Sequence, residues 1–429
     1  MSSPPQVRPT TSRLAFASIV GTTLEYYDFA VYNTLAALVF NRIFFPSFDP
    51  LTGTLLAFST YAVGYLSRPV GGFVFGHLGD RRGRRFVLVA TLLLMGVTTM
   101  LMGVLPTYAS AGIASPILLI LLRFVQGAAL GGEWAGAVLL SVEHGTAGQR
   151  GRNGSWAQMG PSIGTLIATI AIALLSYFLS EAAFMEWGWR LPFFFSIALV
   201  GCGWWIRTGV TETPVFQRLE AEQATLRAPL GEVLRNHRRA LLLGGSVRIG
   251  SDVLYSIIAA FTLSYVTTVL GLSRALALTA LSIGGVFNAL GMPLFGALSD
   301  RFGRRIVYGA GIAIALLWSL ALFPMLDTKS TVMIVFAYVS GLAIHSIMYG
   351  PQAAFIVEQF PTRARYAGAS LAYTLAGIVG GGLAPLISAS LYKRYETTLA
   401  VIAYLAVALG ISALTLAFSR ERAGEELGN

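Results

Sequence analysis

The feature that most limits how this chain can fold is the recurrence, along all 429 residues, of apolar stretches long enough to cross a bilayer. A helical crossing of ~30 Å of hydrocarbon takes roughly 20 residues. Such stretches lie near 15–40, 52–76, 86–106, 115–141, 154–179, 189–209, 241–270, 275–298, 306–325, 331–357, 366–391 and 398–418. Charged residues are only 12% of the chain, against about 25% in a soluble domain, and 55% of residues are hydrophobic. A surface so poor in charge has to meet lipid, where backbone groups must be satisfied internally. The fold class implied is an all-α integral membrane protein with twelve transmembrane helices.

The polar segments between spans alternate in character. One set is Arg-rich: Arg81, Arg82, Arg84 and Arg85, then Arg150 and Arg152, then Arg301, Arg304 and Arg305, then Arg363 and Arg365. The other set is short and poor in arginine. The positive-inside rule makes the first set cytoplasmic and puts both termini on that side, in agreement with an even number of spans. The net charge of +10 follows from the same rule and implies no nucleic-acid partner. Residues 1–13 are polar and Pro-rich, and the first apolar stretch is too long for a cleavable signal. The single cysteine, Cys202, excludes an intramolecular disulfide.

The longest polar stretch, about 210–239, separates six spans from six and reads as a linker. The chain then divides into a tail over 1–13, a first bundle over 14–209, the linker over 210–239, a second bundle over 240–419 and a tail over 420–429. An internal repeat supports that division. GHLGDRRGRR at 76–85 returns as GALSDRFGRR at 296–305, and a weaker echo pairs Glu143 and Arg150 with Glu358 and Arg363. Repeated halves around a central site are a transporter signature, because one half rocking against the other alternates access.

The G-x-L-x-D-R-x-G-R-R loop, present in both halves, resembles the loop signature of the major facilitator superfamily. Arg123-Phe-Val-Gln126-Gly127, continuing to Gly131-Gly132-Glu133, resembles the span-4 signature of its metabolite:proton symporter family. Glu25-Tyr-Tyr-Asp28-Phe29, Arg68-Pro69 and Trp187-Gly-Trp-Arg190-Leu-Pro192 add to the likeness, which runs through essentially the whole chain. Gly132-Glu133-Trp134, Arg248 and His345 make the shikimate permease branch the nearest in appearance. One departure is Asp252, where that branch would have a glutamate four residues after Arg248. The resemblance implies two pseudo-symmetric six-helix bundles in the inner membrane and import of a small polar organic acid with protons. It implies no cofactor or metal beyond the proton gradient, and a monomer.

Four carboxylates fall inside spans: Glu25, Asp28, Glu133 and Asp252. Each charge at that depth costs ~2.5–3.5 kcal/mol on insertion scales, which implies a partner or a wet cavity. Glu25 and Asp28, spaced i, i+3, share a helix face and repel, which favours a proton on one of them. Asp28, Glu25 and Glu133 are therefore the candidates for proton coupling; the alternative for Glu25 is to anchor neighbouring backbone or pair with an arginine. Arg123 can grip a carboxylate with two parallel N–H bonds, or form a structural pair with Asp28 or Glu133. Arg248 and Asp252, at i, i+4, face one side of span 7 near the same centre by pseudo-symmetry. His345 is a candidate ligand contact or proton relay, although a neutral hydrogen-bonded ring is the simpler expectation. Tyr27, Gln158 and Tyr373, with Tyr26, Asn288 and Tyr349, could bind a hydroxylated ligand or simply pack.

The loop signatures read as a conformational latch made of Gly76, Asp80, Arg81, Gly83, Arg84 and Arg85, and of Asp300, Arg301, Gly303, Arg304 and Arg305, with Glu143 and Glu358. Asp80 and Asp300 are expected to cap the helices that follow them and to hold arginines across the cytoplasmic face. An enzyme is excluded by the lack of HExxH, GxSxG or a metal-spaced His/Cys cluster. Gly160-Pro161-Ser-Ile-Gly164 partly resembles the motif of drug/proton antiporters, and small-residue helix packing explains it equally well. The ligand alternatives are a hydroxylated monocarboxylate such as shikimate, a dicarboxylate, or a zwitterion such as betaine.

Overall fold

The computed structural model describes residues 11–72, 74–75, 84–131, 134, 138–139, 141–142, 147–208, 229–361 and 364–425. Within them run α1 Thr11–Leu38, α2 Pro50–Leu66, α3 Arg84–Gly103, α4 Ala114–Leu130, α5 Arg150–Phe178 and α6 Leu191–Thr208. The second half supplies α7 Arg238–Val269, α8 Arg274–Phe302, α9 Arg304–Asp327, α10 Thr331–Glu358, α11 Arg365–Tyr395 and α12 Thr398–Phe418. By length and composition, seven of these, α5 and α7–α12, can cross a membrane among the described residues, with shorter apolar helices at Ala90–Gly103 and Ala114–Leu130. Their outward faces carry exposed apolar side chains such as Leu290, Leu317, Val332, Leu399 and Phe418, as lipid-facing surfaces do.

Helix starts follow local capping chemistry. The side chains of Asp49, Ser273 and Thr397 accept from backbone amides at the heads of α2, α8 and α12. Gly303, with φ 93°, turns the chain sharply between α8 and α9, which a residue with Cβ would resist. Two departures from ideal helix occur in the second half. Leu270 N donates to Tyr265 O, and Leu383 N donates to Ile378 O, so α7 and α11 each contain wide π-type turns.

The sequence reading ran span 4 unbroken over 115–141. Instead α4 leaves helical geometry at Gly131 (ψ 100°), where a Cβ would overlap the Arg68 carbonyl. Close backbone approach there, and between Gly127 and Gly64, sets α4 tightly on α2. Inside the first half α1 packs on α5 and α3 on α6; inside the second, α7 packs on α12 and α9 on α10. The halves meet where α5 packs on α8 and α10, where α2 packs on α11, and where α1 touches α7. Gly160 and Gly164 serve the α1–α5 crossing: a Cβ on Gly160 would overlap Thr22, and one on Gly164 would stand 2.8 Å from the Thr23 carbonyl.

Candidate functional site

Asp28 sits on the buried side of α1, 3% exposed. Its Oδ2 accepts from the Thr99 hydroxyl at 2.9 Å, and Thr99 in turn accepts from Gln126 Nε2 at 2.6 Å. Gln126 Oε1 accepts from Arg123 Nη1. A buried carboxylate and a fully buried guanidinium are thus joined through two neutral side chains rather than by direct contact. Arg123 Cζ lies 3.9 Å from the Phe29 ring centroid and 4.1 Å from that of Tyr32. Gly64 makes the space, since a Cβ there would stand 2.6 Å from Arg123 Nε. Asp28 Oδ1 and Arg123 Nε and Nη2 have no hydrogen-bond partner among the described residues. Gln126 was visible in the span-4 motif, whereas Thr99 carries no signal in an apolar helix.

On the other half, Arg248 Nε lies 2.7 Å from Asp252 Oδ2, off the N–H axis, and Nη1 donates to the Tyr373 carbonyl at 2.6 Å. The Arg248 guanidinium also lies 3.3 Å from the centre of the Tyr373 ring. Trp134, from the first half, stacks on that ring and donates to Gln158 Oε1 at 2.9 Å. Tyr373 meets the Tyr26 hydroxyl at 2.6 Å and that of Tyr349 at 3.2 Å. Between the halves remains a narrow cavity of about 10 Å³, on the order of one water, lined by Tyr26, Arg68, Leu130, Trp134, Ser370, Tyr373 and Thr374. Arg68 and Trp134 were noted in the sequence only as motif residues.

His345 Nδ1 accepts from Asn288 Nδ2 at 2.8 Å and its ring stacks on Tyr349, the hydrogen-bonded arrangement that was the simpler expectation. Gln158 Nε2 reaches the Tyr349 carbonyl across the halves at 3.4 Å. Tyr27 stands apart: its hydroxyl donates to the Pro192 carbonyl at 2.9 Å inside the first half, away from the cavity lining. Glu133 lies outside the described residues, as does the side chain of Glu25.

At the Arg-rich end, Asp300 does not cap the helix that follows it. α8 continues through Phe302, so Asp300 is in its last turn and faces the head of α5 in the other half. There it accepts from the amides of Gly151 at 2.8 Å and Arg152 at 2.9 Å, groups a helix start leaves unsatisfied. Arg304 binds Asp300 at 2.7 Å and Glu358 at 3.1 Å, and Arg150 lies 3.9 Å from Glu358. Arg305 donates its amide to Glu421 at 2.9 Å, and Arg301 lies over Phe302. Gly76, Asp80, Arg81, Gly83 and Glu143 fall outside the described residues, as do the side chains of Arg84 and Arg85.

The opposite end carries two clasps that the sequence reading did not anticipate. Glu181 binds Arg274 of the second half at 3.0 Å and Arg42 of its own half at 3.2 Å. Lys393 reaches Asp49 at 3.3 Å and also contacts Thr52. Hydrogen bonds from the Thr52 hydroxyl, then from its amide, hold the Asp49 carboxyl down at about 2. Both ends are therefore bridged between halves.

Known proteins with this pattern bear on the reading. The Major Facilitator Superfamily pattern matches residues 18–385, with a further match over 254–428. The chain is 38% identical over 421 residues to the inner membrane metabolite transport protein YhjE of Escherichia coli, covering 97% of this chain and 96% of that one. It is 40% identical over 407 residues to the Escherichia coli shikimate transporter, covering 94% and 93%. It is 33% identical over 426 residues to the proline/betaine transporter of Salmonella typhimurium, covering 96% and 84%. Among solved structures, the D-xylose-proton symporter superposes with a TM-score of 0.73 at 18% identity, covering 97% of each chain. With its repeated loop signature and a family pattern that runs through residues 18–385, this chain belongs to the major facilitator superfamily.

Proposed function

We propose that the protein is a proton-coupled symporter that imports a small hydroxylated organic acid across the inner membrane, with both termini cytoplasmic. The observation that carries this reading is the hydrogen-bond chain from Asp28 through Thr99 and Gln126 to Arg123. Protonating Asp28 changes what Thr99 can donate to, and the change passes through Gln126 to the guanidinium. A carboxylate that takes up a proton on one side and releases it on the other, while shifting a buried arginine, is the chemistry of coupled transport. The shikimate transporter likeness supports an acid as substrate.

A zwitterion is the second reading, favoured by the aromatic cavity walls of Tyr26, Trp134 and Tyr373, since aromatic faces attract quaternary ammonium groups. The proline/betaine transporter likeness points the same way. Efflux has no such support, because Gly160 and Gly164 are engaged in the α1–α5 crossing. Charge moved per cycle separates the first two readings. A monoanion with one proton is electrically silent, whereas a zwitterion with one proton moves one charge, worth ~2.3 kcal/mol per 100 mV. Proteoliposomes with an imposed potential and no pH gradient should show no accumulation of the best acid. Strong potential-driven uptake would sink the monoanion-plus-one-proton scheme and favour the zwitterion.

A further inference from the structure

Three guanidiniums lie at the centre of the protein, and their surroundings differ. Arg248 is already engaged, by Asp252, the Tyr373 carbonyl and the Tyr373 ring. Arg123 is fully enclosed, and Gln126, Phe29, Tyr32 and Tyr61, its partners, all belong to the first half. Arg68 alone of the three lines the cavity between the halves. It is 3% exposed, yet its Nε and Nη2 have no hydrogen-bond partner among the described residues.

The way Arg68 is held matters for what it can bind. Its Cζ lies 3.8 Å from the Tyr65 ring centroid and 4.8 Å from that of Phe29. Aromatic rings packed against a guanidinium leave its in-plane N–H edge free. The two unpartnered atoms, Nε and Nη2, form the edge whose N–H bonds run parallel and match the two oxygens of a carboxylate. The residue is also fixed from behind, because Gly131, just past the end of α4, abuts the Arg68 carbonyl and Tyr65 packs on Gly381 and Gly382 of α11. A buried N–H edge with no partner among the described residues is costly, and a ligand carboxylate would complete it.

We propose that Arg68 is the carboxylate-binding residue of the transport site, holding the ligand's carboxylate through Nε and Nη2 beneath the Trp134–Tyr373 stack. This rests on the transporter reading above but not on the choice between acid and zwitterion, since both ligand classes carry a carboxylate. The cavity must widen to admit the ligand, which the rocking of one half against the other supplies.

Calorimetric titration of the purified full-length protein with shikimate, succinate and glycine betaine, each against its carboxamide, tests the assignment. Wild type should prefer at least one acid over its amide by about 10- to 100-fold, the worth of a charge-assisted hydrogen-bond pair. Arg68→Gln should bring that ratio within about twofold while leaving binding of the amide nearly unchanged, as expected when only a charged partner is lost. Arg68→Lys, which keeps the charge but not the parallel fork, should give an intermediate ratio and guards against a misfolded glutamine variant. A ratio that stays at the wild-type value in both variants overturns the assignment. Equal weakening of acid and amide does so too, because that marks a structural role. If wild type prefers no acid in the panel, the proposed substrate class and the Arg68 assignment fall together; a preference retained in the variants removes only the latter.

Discussion

The rings of Trp134 and Tyr373 stack across the two halves with centroids 3.7 Å apart and planes 12° from parallel. Pairs of this kind contribute about 0.5–1.5 kcal/mol beyond their buried area. A double-mutant cycle of Trp134→Leu and Tyr373→Leu, read by thermal unfolding in detergent, should return a coupling energy of about that size. A coupling indistinguishable from zero would mean that the stack does not hold the halves together.

Asp28→Asn should abolish accumulation against a gradient while leaving some exchange of labelled for unlabelled ligand. The amide still occupies the place beside Thr99 but cannot carry a proton. Concentrative uptake at the wild-type level would remove Asp28 from the coupling role.

Asp300→Asn weakens the acceptor facing the Gly151 and Arg152 amides and deprives Arg304 of one of its two carboxylates. The Arg-rich end should open more often, seen as faster labelling of a cysteine introduced in its interior. Ligand affinity should stay within a few fold, because the residue is remote from the cavity. Loss of binding in a folded variant would contradict a latch.

At the α2–α4 crossing, Gly127→Ala places a methyl group against the Gly64 carbonyl. Forced overpacking of this kind costs about 1–3 kcal/mol. The melting temperature in detergent should fall accordingly, and an unchanged value would show that the helices can separate freely at this point.

The Asp49 carboxyl is held at about 2, below its ordinary ~3.9, by Thr52. Its folded-state value is depressed, so its stabilising effect is fully present above ~3.9 and is lost as pH falls through about 2. Between pH 5 and 8 the Lys393 clasp should therefore be constant. Asp49→Asn should leave the shape of the uptake pH profile unchanged over that range, and a displaced profile would show that the clasp takes part in proton coupling.

Much of this arrangement was legible in the sequence, for reasons that also explain what was not. A charge inside an apolar run stands out, so Asp28, Arg123 and the Arg248–Asp252 pair could be picked by eye. The repeated loop pointed to Asp300 and Arg304 at one end. Thr99 and Trp134 gave no such contrast, because a hydroxyl or an indole in a transmembrane helix is ordinary. Arg68 was visible but read as part of a motif; the N–H edge that has no partner among the described residues depends on where Tyr65 and Phe29 place their rings. Asp300 shows only Arg304 at i+4 in the sequence, and its bonds to the head of α5 arise from packing between segments 149 and 148 residues apart. The Glu181 and Lys393 clasps are likewise products of tertiary approach between ordinary loop charges.

The wide turns of α7 and α11 make points of local compliance in these two helices. A turn closed by an i+5 bond holds its neighbours less tightly than the regular ladder, and in α11 it coincides with Gly380, Gly381 and Gly382, which carry no side chains to resist bending. The first-half counterparts that have been described, α1 and α5, run as regular helices, with Pro161 inside α5. A duplicated sequence has thus placed wide turns in α7 and α11 that their counterparts α1 and α5 lack. Rocking would then bend α11 where Gly380, Gly381 and Gly382 rest on Asp252 and Tyr65, so that the helix yields like a spring beside the contact it has to release.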